Sequence, residues 1–249
     1  MRHFFVKLFA IPCVLTLASV GAIACDAALA DVKKESPSKD SIAAIDLDKR
    51  PSTIETNEVP PNPLVVMKTA KGSFVIELYE DLAPNTVANF MHLVEIGHYK
   101  DSSFHRVEGA GEAKPQLRIV QGGRKNNSEA FDWGIFNEAF IPSYGELKNE
   151  TGTISMARTA DFHSAGCQFF INLIDMPGWD SKNSPYCVFG KVVRNLDVVK
   201  ALRGDAKPGD NTGDKILDAW VVRKRNHEYN PWVIRPNARS MERAVKPKK

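Results

Sequence analysis

Hydrophobic positions in the central part of the chain predict short strands separated by turns. The apolar runs LVVMK at 64–68 and FVIELY at 74–79 flank the turn-forming residues TAKGS, and this pattern predicts a β-hairpin. Further short runs rich in β-branched and aromatic residues also predict strands. These runs cover 103–107, 117–120, 153–157, 168–173, 187–193 and 216–223.

Two segments have the spacing of helices instead. Between Pro84 and Gly97, apolar residues recur at helical intervals, and Pro84 suits the first turn of a helix. Gly97 is placed where such a helix would end. Asn195 is a candidate N-cap for a second, shorter helix, DVVKALRG at 197–204, which Gly204 would end.

About eight strands with two helices exclude a sheet wound from βαβ units, because each parallel crossover needs a long connection that is usually a helix. An antiparallel arrangement fits the short turns between the runs. We therefore expect a mainly β fold over 64–224, namely a closed, eight-stranded antiparallel barrel with two capping helices. The composition is typical of a globular domain, since 43% of the residues are hydrophobic and 25% are charged.

Residues 1–30 have the layout of a secretory signal peptide: two cations precede an apolar run at 8–24, and small residues follow. The sequence ALA at 28–30 fits cleavage by a signal peptidase, so we expect export to the periplasm or secretion. The sequence AIAC at 22–25 instead resembles a lipobox. In that alternative, Cys25 would carry lipid and anchor a lipoprotein to a membrane.

Two polar flanks adjoin the predicted domain. Residues 31–63 are polar and charged, lack an apolar period and end in prolines, so they predict a disordered linker. Residues 225–249 form a basic C-terminal extension, although the formal net charge of the whole chain is only +3. Because no aromatic interleaving or nucleic-acid-binding motif accompanies these cations, we expect no nucleic-acid partner.

The sequence FHRV at 104–107 is an unusual strand. Strict alternation would direct the phenylalanine and the arginine to one face and the other two residues to the opposite face. Each face would then mix an apolar and a polar side chain. An edge strand with a solvated arginine is one interpretation. The alternative is a chemical role for Arg106, which the later segments of the chain favour.

Four segments carry a family resemblance: FHRV at 104–107, QGG at 121–123, QFFIN at 168–172 and SPYCVFGKVV at 184–193. In this order they resemble the signature segments of the cyclophilins, and the similarity spans residues 64–224. The sequence MARTAD, followed by SxxxQFFIN, is similar to the bacterial and often periplasmic subgroup of that family.

The resemblance implies a peptidyl-prolyl cis-trans isomerase, which rotates X-Pro bonds. No bond breaks in this reaction, so we expect neither a cofactor nor a metal ion. By resemblance, Arg106 is the donor to the prolyl nitrogen, and Gln121 supports it and binds the substrate backbone. A guanidinium suits this task because it stays protonated and offers several donors in a rigid fork.

The resemblance also implies a groove for proline-containing polypeptides, with an apolar cup for the proline ring. Trp179 lies one residue later than the aromatic residue usual in the family, so Gly178 is an alternative occupant of that position. We expect the protein to be a monomer. The implied substrate-binding residues are His105, Ile119, Met156, Ala157, Arg158, Gln168, Phe170, Trp179 and Tyr186.

We therefore expect an exported isomerase that assists the folding of exported proteins. Two departures from the family pattern leave an alternative open. The segment at 108–117 is longer than usual, and Arg118 occupies a position usually filled by phenylalanine. Either a wall of the pocket is missing or a second cation selects acidic substrates. The alternative function is a proline-peptide-binding chaperone or interaction module with little turnover.

Overall fold

A computed structural model of the protein describes residues 42–50, 54–56, 61–110, 116–124, 133–141, 147–205, 207 and 210–234. The predicted signal segment at 1–30, which includes Cys25, and the tail at 235–249 lie outside the described residues. Within the described ranges, no helix is long and apolar enough to cross a membrane.

The predicted strands are all present, with shifted ends. The strands are β1 (Ile54–Thr56), β2 (Leu64–Thr69), β3 (Gly72–Leu78), β4 (Ser103–Ala110), β5 (Gln116–Arg124), β6 (Thr153–Met156), β7 (Phe169–Asn172), β8 (Val188–Arg194) and β9 (Ile216–Arg225). The α-helices are α1 (Pro84–Glu95) and α2 (Leu196–Lys200). Short 3-10 helices span Glu138–Phe140 and Pro177–Asp180.

The strands form one nine-stranded sheet in the order β1-β9-β2-β3-β8-β6-β7-β5-β4. All neighbours from β9 to β4 are antiparallel, and β1 runs parallel to β9. The eight antiparallel strands curl until Ser103 in β4 meets Lys215, just before β9, in one isolated bridge. The predicted closed barrel is therefore a curled half-barrel, because the described residues of β4 and β9 share this bridge and no ladder.

Strands β2 and β3 are buried on both faces, which explains their unbroken apolar sequences. On the inner face, Met67 and Phe74 join the main core beneath helix α1. On the outer face, Val66, Val75 and Trp220 belong to a second apolar cluster. These five side chains are at most 4% exposed. Both faces of the hairpin therefore contribute to the hydrophobic free energy of folding.

Part of the segment predicted as a disordered linker covers the outer cluster. Ile45 and Leu47 pack against it, and the Arg194 guanidinium donates to three backbone carbonyl oxygens of this segment at 2.8 to 3.2 Å. Strand β1 adds a parallel strand to the edge of β9. Residues 42–50 and β1 therefore contact the domain through distant partners that the local sequence does not show.

Helix α1 packs against the main core, and specific contacts close both of its ends. Pro84 occupies the first turn, as predicted. The N-cap residue has no capping side chain, and the Glu138 carboxylate accepts instead from the backbone N–H groups of Asn85 and Thr86 at 2.9 and 2.7 Å. At the other end, Gly97 has a φ of 71°, which lets the chain leave the helix.

Helix α2 is shorter than predicted, because it spans five residues and ends halfway through the segment 197–204. Only Val199 is buried among its residues, so little packing energy supports further turns. Asn195 is at the N-cap position, but its φ of 61° is left-handed and its side chain makes no capping bond. The Asn195 amide donates to the Ser73 carbonyl oxygen at 2.8 Å and ties the helix to β3.

The C-terminal segment from 225 to 234 is held against the sheet. Tyr229 is 3% exposed and donates to Glu80 Oε2 at 2.9 Å, and His227 Nε2 lies 2.6 Å from Glu80 Oε1. Farther along, Ile234 and Gly134 exchange two backbone hydrogen bonds of 2.7 and 2.9 Å. The described part of the predicted basic extension is therefore bound to the domain by polar contacts at both of its ends.

Candidate active site

An extra residue in β4 resolves the uneven faces of FHRV. Phe104 and Arg106 pair with consecutive residues of β5, so His105 is an extra residue between them. This β-bulge shifts the alternation by one position. As a result, Phe104 and Val107 both pack into the core. The strict alternation predicted for FHRV is therefore wrong, and Arg106 extends from the solvated face.

Gly122 in β5 leaves room for the aromatic residue of this bulge. A Cβ atom at position 122 would lie 2.7 Å from Cδ1 of Phe104, well inside van der Waals contact. The preceding residue, Gln121, pairs with Arg106 in the ladder. The sequence QGG therefore combines a polar side chain for the solvated face with space for a buried ring.

Arg106 lies within a row of hydrogen bonds that runs from Glu108 in β4 through Gln121 in β5 to Gln168, the residue before β7. Its Nη1 donates to Gln121 Oε1 at 3.3 Å, and its Nη2 donates to Glu108 Oε2 at 2.7 Å. The Gln121 amide donates in turn to Gln168 Oε1 at 3.0 Å. Each terminal nitrogen of Arg106 has its own acceptor, so the guanidinium is oriented although 56% of the side chain is exposed.

Three aromatic rings form an apolar wall beside this row. Phe170 on β7 is 2% exposed. The rings of Trp179 and Tyr186 lie 5.0 and 5.4 Å from it and are nearly perpendicular to it, at 80° and 82°. The Trp179 and Tyr186 rings are also 5.1 Å apart. Edge-to-face contacts favour this arrangement, so the three rings hold one another in place.

A buried asparagine fixes the loop that carries two of these rings. Asn149 is 1% exposed. Its amide nitrogen donates to Asp180 Oδ1 at 2.8 Å and lies 3.4 Å from the carbonyl oxygens of Trp179 and Tyr186. Its Oδ1 accepts from Ser155 Oγ at 2.8 Å. Sequence reasoning missed this residue because its partner Asp180 is 31 positions away.

Arg158 is a second cation of the site. Its guanidinium carbon lies 4.3 Å from the centre of the Tyr186 ring and 4.9 Å from the centre of the Phe162 ring. Its Nη2 donates to Ser184 Oγ at 2.9 Å, and further bonds reach backbone carbonyl oxygens. All of these partners are neutral, so they fix the position of Arg158 without offsetting its charge.

These side chains surround one open groove with a volume of about 210 Å³. Arg106, Glu108, Gln121 and Arg158 supply its polar lining. Ile119, Ala157, Phe170, Trp179 and Tyr186 supply its apolar and aromatic lining. The structure therefore brings most of the predicted site residues to a single surface, including Trp179 rather than Gly178.

Three predicted site residues lie beside the groove and do not line it. Gln168 contacts the lining residue Gln121 through a hydrogen bond. Met156 is 2% exposed and lines a smaller recess next to Arg158. His105 is the extra residue of the bulge and is partly buried. Met156 is therefore not part of the apolar lining of the groove.

Two residues of the lengthened β4–β5 hairpin have unexpected places. Glu108 was not predicted as a site residue, yet it lines the groove and pairs with Arg106. Its position two residues after Arg106 in a strand was the available signal. Arg118 is not a groove cation. It is the extra residue of a second bulge, between Leu117 and Ile119, and its Nη2 lies 3.8 Å from Met176 Sδ.

The groove places an oriented cationic donor next to an aromatic surface. Such a surface suits an apolar ring, and the guanidinium suits a polar atom at the edge of that ring. In the part of the chain that the structure describes, no group of three or more His, Cys, Asp or Glu side chains could hold a metal ion. The site is an open groove in which the Arg106 guanidinium lies beside aromatic side chains.

Sequence comparisons connect this chain to known proteins. The family model for cyclophilin type peptidyl-prolyl cis-trans isomerase/CLD matches residues 64–223. Peptidyl-prolyl cis-trans isomerase B of Escherichia coli K12 is 36% identical over 156 residues, which are 57% of this chain and 85% of that protein. A peptidyl-prolyl cis-trans isomerase of Acinetobacter baylyi is 40% identical over 142 residues, which are 55% of this chain and 70% of that protein.

Solved structures show the same fold. The cyclophilin AquaCyp293 of Hirschia baltica has a TM-score of 0.53 and 23% identity, over 67% of this chain and 81% of that chain. A Cryptosporidium parvum cyclophilin crystallised in the presence of the dipeptide Ala-Pro has a TM-score of 0.50 and 25% identity, over 64% of this chain and 98% of that chain. Given the family match over residues 64–223, the chain belongs to the cyclophilin-type peptidyl-prolyl cis-trans isomerases and is an enzyme of that class.

Proposed function

We propose that this isomerase accelerates rotation of X-Pro bonds in exported polypeptides and so assists their folding, with Arg106 as the donor to the prolyl nitrogen. One observation carries the proposal: the Arg106 guanidinium, held by two acceptors, lines the same groove as Ile119 and Phe170. Proline-containing polypeptides are the proposed substrates. The Cryptosporidium parvum cyclophilin, crystallised in the presence of Ala-Pro, supports that choice.

The barrier to be lowered comes from conjugation between the prolyl nitrogen and the preceding carbonyl group. It amounts to about 18–20 kcal/mol, and uncatalysed rotation therefore takes tens to hundreds of seconds. A hydrogen bond to the nitrogen lone pair removes that pair from conjugation and weakens the partial double bond. One such oriented donor is worth about 3–4 kcal/mol in a partly desolvated site.

Rotation also requires that one side of the bond is held while the other turns. Ile119 and Phe170 are each 2% exposed and lie on β5 and β7, so they offer a fixed apolar surface to the proline ring. Gln121 orients Arg106 through its Oε1. The same side chain lies within reach of a bound peptide backbone, because it lines the groove. The site thus combines ring binding with donor placement.

Substitution of the donor tests this mechanism directly. We expect Arg106→Ala to lower kcat/KM for a proline tetrapeptide about 10²- to 10³-fold in a protease-coupled assay, because one oriented donor is lost. The unfolding curve should stay close to that of the wild type, since the Arg106 side chain is largely exposed. Lys200→Ala, which removes an exposed cation from α2, is the matched control. Undiminished activity in Arg106→Ala would reject the proposed role.

Export is a separate part of the proposal, and the signal-like sequence at 1–30 supports it, as does the similarity of MARTAD to the bacterial periplasmic subgroup. Cell fractionation with N-terminal sequencing tests it. We expect a mature chain that begins at Asp31 and is released with periplasmic or secreted proteins. Labelling with a clickable fatty acid that is abolished by Cys25→Ser would replace soluble export by the lipoprotein alternative.

The second candidate function is binding of proline-containing chains with little turnover. The ion pair between Arg106 and Glu108 favours it, because the carboxylate at 2.7 Å occupies one N–H group of the donor. In this case peptides should bind in a titration while line-shape NMR detects no acceleration of cis-trans exchange. Accelerated exchange at catalytic enzyme concentrations would exclude this candidate.

A further inference from the structure

Most of the large, exposed apolar side chains in the described part of the chain belong to two segments, 136–141 and 232–234, which the backbone bridge between Gly134 and Ile234 joins. Their exposures range from 36% to 86%. A contiguous apolar surface on a soluble domain marks a binding site more often than isolated exposed residues do. We call this surface the aromatic patch, and it consists of Phe136, Phe140, Ile141, Trp232 and Ile234.

The aromatic patch is built by two segments that are distant in sequence. Ile234 exchanges two backbone hydrogen bonds with the residue before Ile135, in an antiparallel bridge. Ile135 and Val233 therefore face inward, where they contact the main core. Phe136 and Trp232 face outward together with Ile234, as alternation requires. The exposure of these side chains follows from the pairing of the backbone.

Trp232 is 86% exposed, yet its backbone is fixed. Its N–H group donates to Asn85 Oδ1 at 2.7 Å, and its carbonyl oxygen accepts from Asn85 Nδ2 at 3.1 Å. Asn85 lies in the first turn of helix α1. The indole is therefore presented from an ordered backbone, and a ligand that contacts it has little backbone entropy to overcome.

The aromatic patch is continuous with the substrate groove. Arg158 lines the groove and lies 4.9 Å from the centre of the Phe162 ring, which is 5.3 Å from the Phe140 ring. The small recess beside the groove is lined by Arg158, Phe162 and Phe136. Because an extended chain rises about 3.3 Å per residue, a few residues beyond the groove reach the patch.

We infer that the aromatic patch is a second binding site, which takes apolar side chains of an unfolded polypeptide whose proline occupies the groove. This inference rests on the proposed function for the position of the proline. An unfolded chain is the occupant because the groove and the patch form one path along which an extended chain can run. The patch would therefore add affinity for unfolded proteins that a short proline peptide cannot use.

The test compares two substrates and two double variants. The substrates are a proline tetrapeptide and a reduced, carboxymethylated ribonuclease, which is permanently unfolded. Trp232→Ser/Ile234→Ser alters the patch, and Ile96→Ser/Leu217→Ser is the matched control, since Ile96 and Leu217 are 59% and 41% exposed and lie outside the patch. Fluorescence anisotropy measures binding of the labelled unfolded chain, and the protease-coupled assay measures turnover of the tetrapeptide.

We expect the patch variant to bind the unfolded chain about five-fold or more weakly than the wild type, with kcat/KM for the tetrapeptide unchanged within about two-fold. The control variant should match the wild type in both measurements. Equal losses in both variants, or unchanged binding in the patch variant, would overturn the inference. An inactive wild type would instead reject the proposed function, so the two failures are distinguishable.

Two further measurements with the same patch variant test two other occupants, an anionic lipid surface and a second copy of the chain. If Trp232→Ser/Ile234→Ser keeps its affinity for the unfolded chain but loses binding to phosphatidylglycerol vesicles, the patch is a lipid-binding surface and the inference fails. If sedimentation velocity shows a wild-type dimer that this variant disrupts, a second copy of the chain covers the patch. That result would also overturn the inference.

Discussion

The hairpins β2–β3 and β4–β5 are the same kind of element, but they have different roles. The first is paired without interruption from Leu64 and Glu77 to Thr69 and Gly72, and nearly all of its residues are buried. The second has three register shifts and carries the exposed Arg106. Regular pairing suits residues that need only be buried, whereas a bulge can turn one side chain toward a ligand.

This contrast separates stability from chemistry. In β2–β3, apolar clusters cover both faces, so a substitution leaves a cavity or an unfilled contact. In β4–β5, one face is the lining of the groove, so a substitution there removes a group that a peptide would meet. Changes in the first hairpin should therefore alter the free energy of unfolding, and changes in the second should alter kcat/KM.

Phe74→Ala in β3 should give the largest effect. Phe74 is fully buried in the main core, and its truncation should lower the free energy of unfolding by about 3–5 kcal/mol. The activity per folded molecule should not change, because Phe74 is not a lining residue of the groove. Urea denaturation and the tetrapeptide assay at low temperature measure the two quantities. A specific loss of kcat/KM in the folded variant would contradict the separation.

Glu108→Gln in β4 should have a smaller effect, and it should change the activity and not the stability. Its carboxylate offsets the charge of Arg106 and holds one of its N–H groups, so neutralisation should raise kcat/KM about two- to five-fold. The modest size follows from the exposure of both side chains, which lets water screen the pair. Stopped-flow kinetics with the tetrapeptide measure the change, and urea denaturation should show unchanged stability.

A decrease in kcat/KM for Glu108→Gln would reverse this interpretation. In that case the carboxylate orients Arg106 for catalysis, and the loss of orientation outweighs the gain in charge. Glu108→Asp is the informative companion variant, because it keeps the charge but shortens the side chain. Activity in Glu108→Asp near that of Glu108→Gln would support orientation, and activity near the wild type would support charge.

The smallest effect concerns the contact between the C-terminal segment and Glu80, which follows β3. The pKa of His227 is raised above 6.5 by the hydrogen bond to the Glu228 carbonyl oxygen and by the hydrogen bond to Glu80, despite partial burial and the nearby Arg225. The contact should therefore stabilise the fold fully below a pH of about 6.5, the unfolded pKa. This contribution should be lost as pH rises through the higher folded pKa.

Urea unfolding of the wild type and His227→Gln between pH 5.5 and pH 8.5, roughly the range in which histidine titrates, measures this dependence. The difference in unfolding free energy between the two proteins should shrink as pH rises. The tetrapeptide activity of the folded variant should match that of the wild type at every pH. The reason is that His227 and Glu80 do not line the groove. A difference that grows with pH would show that neutral His227 makes the stabilising contact.

The sequence identified the regular parts of the fold because their signals are local. The run at 64–68 and the turn after it specify a hairpin by composition alone, and Pro84 and Gly97 mark the ends of a helix. The lining residues of the groove other than Glu108 were predictable because short motifs of the family carry them in a fixed order. Local patterns were therefore enough to predict an element whose stabilising contacts lie within one short segment.

The remaining features depend on distant partners. The bulge at His105 exists only in the ladder with β5, and the cap on helix α1 comes from Glu138, 52 positions from Thr86. The segment at 42–50 is ordered by a cluster that includes Trp220. The two partners in each of these contacts lie far apart in the sequence. Alternation and propensity therefore predicted a strand without a bulge at 104–107, no capping residue for helix α1 and a linker at 42–50.

The cover formed by residues 42–50 has a consequence for how the protein can be shortened. A chain trimmed to the family-matched residues 64–223 would keep every residue that lines the groove, but it would lose Ile45 and Leu47. It would also lose Tyr229, the buried partner of Glu80. The smallest autonomous folding unit therefore extends past the family-matched boundaries on both sides, and trimming to those boundaries would expose hydrophobic surface through which the shortened domain can self-associate.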